Sequence, residues 1–139
     1  MLAVDTNILA RFYVAEADAG AAKQHKTAAS IMAQPALFVA RTVALELEWV
    51  LRGAYGYARE DVARVLDHLL GLPNVVVENR EIVEGALHHY HDGLDFADAL
   101  HLAAAKSAHL FATFDSKFAK RAGRLGLIPD VALPTKVFQ

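Results

Sequence analysis

Four short apolar runs, at residues 1–4, 37–39, 74–77 and 110–114, are separated by segments with helical spacing, and no hairpin turn joins any two of them. Antiparallel neighbours can be linked by a two-residue turn, whereas parallel neighbours need a long crossover, usually a helix. The alternation therefore predicts an α/β fold: a short parallel sheet flanked by helices on both faces. Helices are expected over residues 8–14, 15–36 (with Asp18 as cap), 43–51 (capped by Thr42), 59–70, 80–90, 95–108 and 116–125, the last stopped by Gly126. Residues 130–133 suggest a final short strand. The first run, 1–4, reads as a fully buried strand.

At 139 residues the chain is long enough to bury a core unaided, and it shows no repeat, linker or low-complexity tract, so one domain over 1–139 is expected. Without cysteine there is no disulfide framework, thiolate metal site or catalytic thiol, which suits a reducing cytoplasm. No leader-like stretch opens the chain and no apolar window approaches a membrane span, so no membrane role is expected. The hydrophobic fraction, 55%, is high for a soluble domain and implies that some of it lies in a protein interface. The net charge of −2 is uneven: residues 1–100 carry 8 Lys/Arg against 14 Asp/Glu, and residues 101–139 carry 6 against 2. An acidic front with a basic tail section suits a metal-dependent enzyme acting on a polyanion.

Two of the apolar runs are followed directly by an acid, Asp5 and Asp115. Either residue alone is an ordinary helix cap. Parallel strands, however, put their C-terminal ends on one edge of a sheet, where α/β folds bind ligands. Acids gathered there repel one another unless a cation joins them, and oxygen donors without Cys point to Mg²⁺ or Mn²⁺. Asp95 and Asp98, at i and i+3, share one face of a helix start, where an ordinary helix also favours them. Glu46 and Glu48 lie in the apolar stretch 43–51 and point about 200° apart. Glu48 has Arg52 four residues on, as a surface ion pair would. Glu46 has no basic partner in its own helix, which leaves it either a site acid or an acid with its head in water at the margin of the apolar face.

Taken in series, Val4-Asp5-Thr6-Asn7, Leu45-Glu46-Leu-Glu-Trp49-Val-Leu51-Arg52, Asp95-Phe-Ala-Asp98-Ala-Leu100 and Thr113-Phe-Asp115-Ser-Lys-Phe118 resemble the PIN-domain ribonucleases, and most closely the VapC-type toxins of toxin–antitoxin pairs. The motifs occur in the family's order and cover the chain nearly end to end. The resemblance implies a single PIN-like domain with Asp5, Glu46, Asp98 and Asp115 as its acidic quartet, holding Mg²⁺ or Mn²⁺. It matches Asp95, Asn7 and Thr113 to positions beside that site. It further implies hydrolysis of RNA, a homodimer, and a cognate VapB-like antitoxin that inserts a segment into the active-site groove.

Lys117, Lys120, Arg121 and Arg124 recur at i, i+3, i+4 and i+7, a basic stripe suited to phosphates, although a solvated face has the same pattern. His88, His89 and His91 invite a zinc reading, but without Cys or a spaced carboxylate motif an incidental cluster is favoured over it. His101 and His109 read as surface or packing residues rather than catalytic ones, with a general-base role open only to His101, three residues after Asp98. Two rivals remain: a PIN-like nuclease of RNA processing or DNA work, and a non-enzymatic α/β binding module in which every Asp is only a cap.

Overall fold

In the computed structural model, which describes residues 1–14 and 18–139, short parallel strands alternate with helices. The chain divides into two compact units, Met1–Arg80 and Glu81–Gln139.

The first unit holds β1 (Leu2–Ala3), α1 (Thr6–Tyr13), α2 (Ala19–Met32), β2 (Leu37–Val39), α3 (Arg41–Gly53), α4 (Arg59–Gly71) and β3 (Val75–Val77). Its strands form a parallel sheet in the order β1-β2-β3, with Leu2 opposite Leu37 and Leu37 opposite Val75. Leu37, Val39, Val75 and Val77 are buried, and alternation sends Val76 outward. Leu9 and Ala10 of α1, Leu47 and Leu51 of α3, and Val62, Leu66 and Leu69 of α4 supply the helical part of the core at helical spacing.

Several expectations need correction here. β1 is exposed rather than buried, because it is an edge strand bonded to β2 alone. Only Val4, just beyond it, is enclosed. Asp18 does cap α2, its carboxylate accepting from the Ala21 N–H at 2.8 Å, whereas residues 15–17 of the expected 15–36 helix lie outside the described residues. Thr42 is not a cap. α3 begins two residues earlier than expected, at Arg41, its N-cap is Ala40, and no side chain caps it locally. Its Arg41 N–H donates instead to Oε1 of Glu78, just past β3, at 3.1 Å.

The second unit holds α5 (Arg80–His91), α6 (Phe96–Ala104), β4 (Leu110–Ala112), α7 (Ser116–Leu125), β5 (Asp130–Ala132) and α8 (Pro134–Val137), with the first residue of α5 falling in the first unit. β4 and β5 pair in parallel, Leu110 opposite Asp130. Tyr90, Leu94 and Phe96 are buried around the turn between α5 and α6, with Tyr90 edge-on to Phe96. Phe118 and Ala122 are the buried face of α7. Gly126 ends α7 in the left-handed conformation (φ 67°), as the sequence predicts. α6 stops at Ala104 rather than 108, since residues 106–109 are exposed and bury no apolar face that would hold another turn. α8 was not expected.

Candidate active site

In the second unit the acids are arranged by two helix starts. Asp95 is the N-cap of α6, its carboxylate accepting from the Asp98 N–H at 3.2 Å, which puts Asp98 in the first turn beside it. Asp115 is the N-cap of α7 and follows β4. Its Oδ1 accepts from the Phe118 N–H at 3.1 Å, and its own N–H donates to Thr113 Oγ1 at 3.0 Å. Thr113 thus fixes the turn that presents Asp115. Each cap satisfies a helix N–H that has no partner within the helix.

The capping geometry does not exhaust these acids. The Asp98 carboxyl is held above its ordinary value, first by burial, then by the negative charges of Asp95 and Asp115, with His101 opposing. Three acids from two helix starts therefore share one negative field. Their donors are all hard oxygens, the set that suits Mg²⁺ or Mn²⁺.

In the first unit, Asp5 stands at the C-terminal end of β1 and is the N-cap of α1, its Oδ1 accepting from the Thr6 N–H at 2.8 Å. Thr6 beside it is 2% exposed, and its hydroxyl is enclosed without a hydrogen-bond partner. Such a buried orphan is uncommon. Asn7 lines a cavity of about 680 Å³ between α1 and α2, together with Arg11 and Lys23. Glu46 is exposed on α3, whereas Glu48 is only 2% exposed. The Glu48–Arg52 pair forms as expected, through Arg52 Nε at 2.7 Å and Nη2 at 3.4 Å, but it is buried on the Glu48 side and not a surface pair.

All four cations of the stripe are exposed on α7, opposite its buried Phe118 and Ala122. Arg121 is already engaged, donating from Nη1 to the Gly93 carbonyl. Two residues near the acids escaped the sequence reading. Thr6 carried no signal beyond its place between Asp5 and Asn7. Phe114, 89% exposed and adjacent to Asp115, looks in sequence like the last residue of a buried strand. Among the histidines, burial first and His88 second hold His89 below its ordinary value, against Asp92.

Asp5 follows β1 in the first unit, and Thr113-Phe-Asp115 follows β4 in the second. The PIN domain family matches residues 2–124, and the chain belongs to that family. No curated protein matches it. Among solved structures it is similar to the toxin VapC20 of Mycobacterium tuberculosis, described as cleaving the sarcin–ricin loop. That similarity is 22% in identity, covers 93% of this chain and 98% of the other, and has a TM-score of 0.44. The family assignment rests on the domain match, not on this likeness.

Proposed function

We propose that this chain is a metal-dependent endoribonuclease and the toxin of a toxin–antitoxin pair, with 1–139 acting as one PIN domain. The observation that carries the reading is the negative field of Asp95, Asp98 and Asp115 in a chain that matches the PIN domain from residue 2 to residue 124. Asp5, Glu46, Asp98 and Asp115 would hold Mg²⁺ or Mn²⁺. A divalent ion held there acidifies water and neutralises charge gathering on a phosphate under attack.

The chain's own residues have three tasks. Asp115 keeps its helix through Oδ1, which leaves Oδ2 as a donor, and Thr113 and Asp95 hold the two helix starts in place. Lys117, Lys120 and Arg124 offer phosphate contacts along α7. Phe114, exposed beside Asp115, offers a face on which a base of single-stranded RNA stacks. A cognate VapB-like antitoxin, a homodimer and a cytoplasmic location belong to the same reading. The high apolar fraction supports an interface, and among the described residues no helix is long and apolar enough to cross a membrane.

The test is cleavage of generic single-stranded RNA with Mg²⁺ or Mn²⁺, abolished by EDTA and by Asp5→Asn. Cleavage that survives both sinks the proposal. Two further results are expected with uncleaved RNA bound to an Asp98→Asn background. Lys117→Ala and Lys120→Ala each flatten the dependence of log K on log salt by about one unit, because each loses one phosphate contact. An unchanged slope returns α7 to a solvated face. Phe114→Ala weakens binding by about 1–3 kcal/mol at any salt concentration, the range for one stacked base. Equal affinities would remove Phe114 from the RNA path.

A further inference from the structure

The acids of the nuclease reading leave unused a second group of donors, at the C-terminal end of α5. Asp92 lies just past the helix, yet its N–H still donates to the His88 carbonyl at 3.3 Å, so helical geometry carries through it. At about 100° per residue, Asp92 falls about 40° from His88 and about 60° from His89, one turn on and between them. His91 points about 160° away from His89 and takes no part. Among the described residues, one ligand atom from each of His88, His89 and Asp92 lies within 4.8 Å of the other two.

The distances describe a gap and not a bonded cluster. Asp92 Oδ2 is 3.9 Å from His88 Nε2 and 4.0 Å from His89 Nδ1. Both are too long for hydrogen bonds. His89 Nδ1 is enclosed by protein and has no hydrogen-bond partner. Leaving such a nitrogen unsatisfied is unfavourable, and no described residue bonds it. A tetrahedral ion with bonds near 2.0–2.1 Å holds its ligand atoms about 3.3 Å apart. The three donors reach that spacing if the side chains of His88, 75% exposed, and Asp92, 43% exposed, swing inward around the more enclosed His89.

The turn that carries Asp92 is fixed from both sides. Gly93 N–H donates to the Tyr90 carbonyl and Leu94 N–H to the His89 carbonyl, both at 3.0 Å, while Gly93 takes φ 99°. Tyr90 and Leu94 are buried, and Arg121 donates to the Gly93 carbonyl. The backbone of the turn is thus held in place, and only side-chain rotation of His88 and Asp92 remains to be ordered on binding. The site also lies at a helix C-terminus, whose partial negative charge favours a cation.

We propose that His88, His89 and Asp92 form a second metal site, selective for zinc-class divalent ions over Mg²⁺. Two imidazoles and one carboxylate are the donors of Zn²⁺, Co²⁺, Ni²⁺ or Cu²⁺, whereas Mg²⁺ prefers oxygen alone. Three protein donors leave a fourth position for water or a group from another molecule. The proposal does not depend on the nuclease reading, because it shares no ligand with the acidic quartet.

The experiment is titration of the full-length, EDTA-stripped protein with Co²⁺ in excess Mg²⁺, followed by visible absorption and by displacement with Zn²⁺. Wild type and Asp98→Asn are expected to give the same nitrogen-ligated Co²⁺ spectrum, bleached by one equivalent of Zn²⁺. His88→Ala and Asp92→Asn, both surface changes with unchanged circular dichroism, are expected to weaken Co²⁺ binding at least tenfold, since even outer partners of a metal site are worth that much. Absence of a Co²⁺ spectrum in wild type overturns the site, as does undiminished binding in both surface variants. A spectrum lost only in Asp98→Asn overturns it too, by placing the ion among the acids.

Discussion

Asp98→Asn is expected to melt at a higher temperature than the wild type in EDTA and to gain much less from added Mn²⁺. Asp98 meets burial and the charges of Asp95 and Asp115, and its carboxyl is held above its ordinary value. A carboxyl whose folded value is raised holds its proton more tightly in the folded state. Stability therefore falls as pH rises from the unfolded carboxylate value through the raised one, and is flat beyond it. At neutral pH the wild type carries the whole penalty, and the amide carries none. Mn²⁺ binds the folded acids alone and stabilises by mass action, on the order of 2.7 kcal/mol at a hundredfold excess over Kd. The variant lacks one of the proposed ligands. RNA cleavage is expected to fall a hundredfold or more, beyond the roughly 10–100-fold loss seen when only an outer partner of a metal is removed. If the acids are caps and nothing else, the signs reverse. Losing a charge from the first turn of α6 then destabilises by about 0.3–1 kcal/mol, and neither protein responds to Mn²⁺. Melting curves of both proteins, each with EDTA and with Mn²⁺, separate the two outcomes.

Arg52→Leu is expected to destabilise the fold by about 3 kcal/mol. Removing one partner of a buried ion pair costs about 3–5 kcal/mol, because the remaining charge stays enclosed. The low end applies because Arg52 is 46% exposed while Glu48 is 2% exposed. Glu48→Gln is expected to cost less, as it removes the buried charge itself, and to leave RNA cleavage nearly intact below the melting transition. Urea denaturation measures both. An Arg52→Leu midpoint equal to that of the wild type would show that the pair contributes nothing.

The strands and most helix ends were legible because they are local. Residues 37–39 and 75–77 are apolar and bounded by turn residues, Gly126 stops α7 where it must, and Asp5, Asp18, Asp95 and Asp115 cap the helices that follow them. What failed was set at a distance. The Glu48–Arg52 spacing is visible in sequence, but its depth is set by what covers α3. Residues 1–3 are as apolar as the central strands, yet only sheet order decides which strand is an edge. Asp92 lies just past α5, and its place beside His88 and His89 is visible only once the helical turn is seen to continue through it. The acids themselves were legible, and their capping bonds are compatible with either role. The raised Asp98 carboxyl, set by burial first and then by Asp95 and Asp115, goes beyond what capping alone gives.

The bond from Arg41 to Glu78 has a kinetic meaning. A helix with its own N-cap can nucleate alone, whereas α3 borrows its cap from a residue 37 positions later in the chain. Helix nucleation is already unfavourable, and an open first turn makes it more so. The first turn of α3 therefore gains its side-chain partner only once β3 places Glu78. The helix that carries Glu46 then acquires its final start in the same event that closes the three-stranded sheet. A nascent chain ending before residue 78 lacks that bond, and with it the roughly 0.5–2 kcal/mol that a side-chain cap contributes to a helix start.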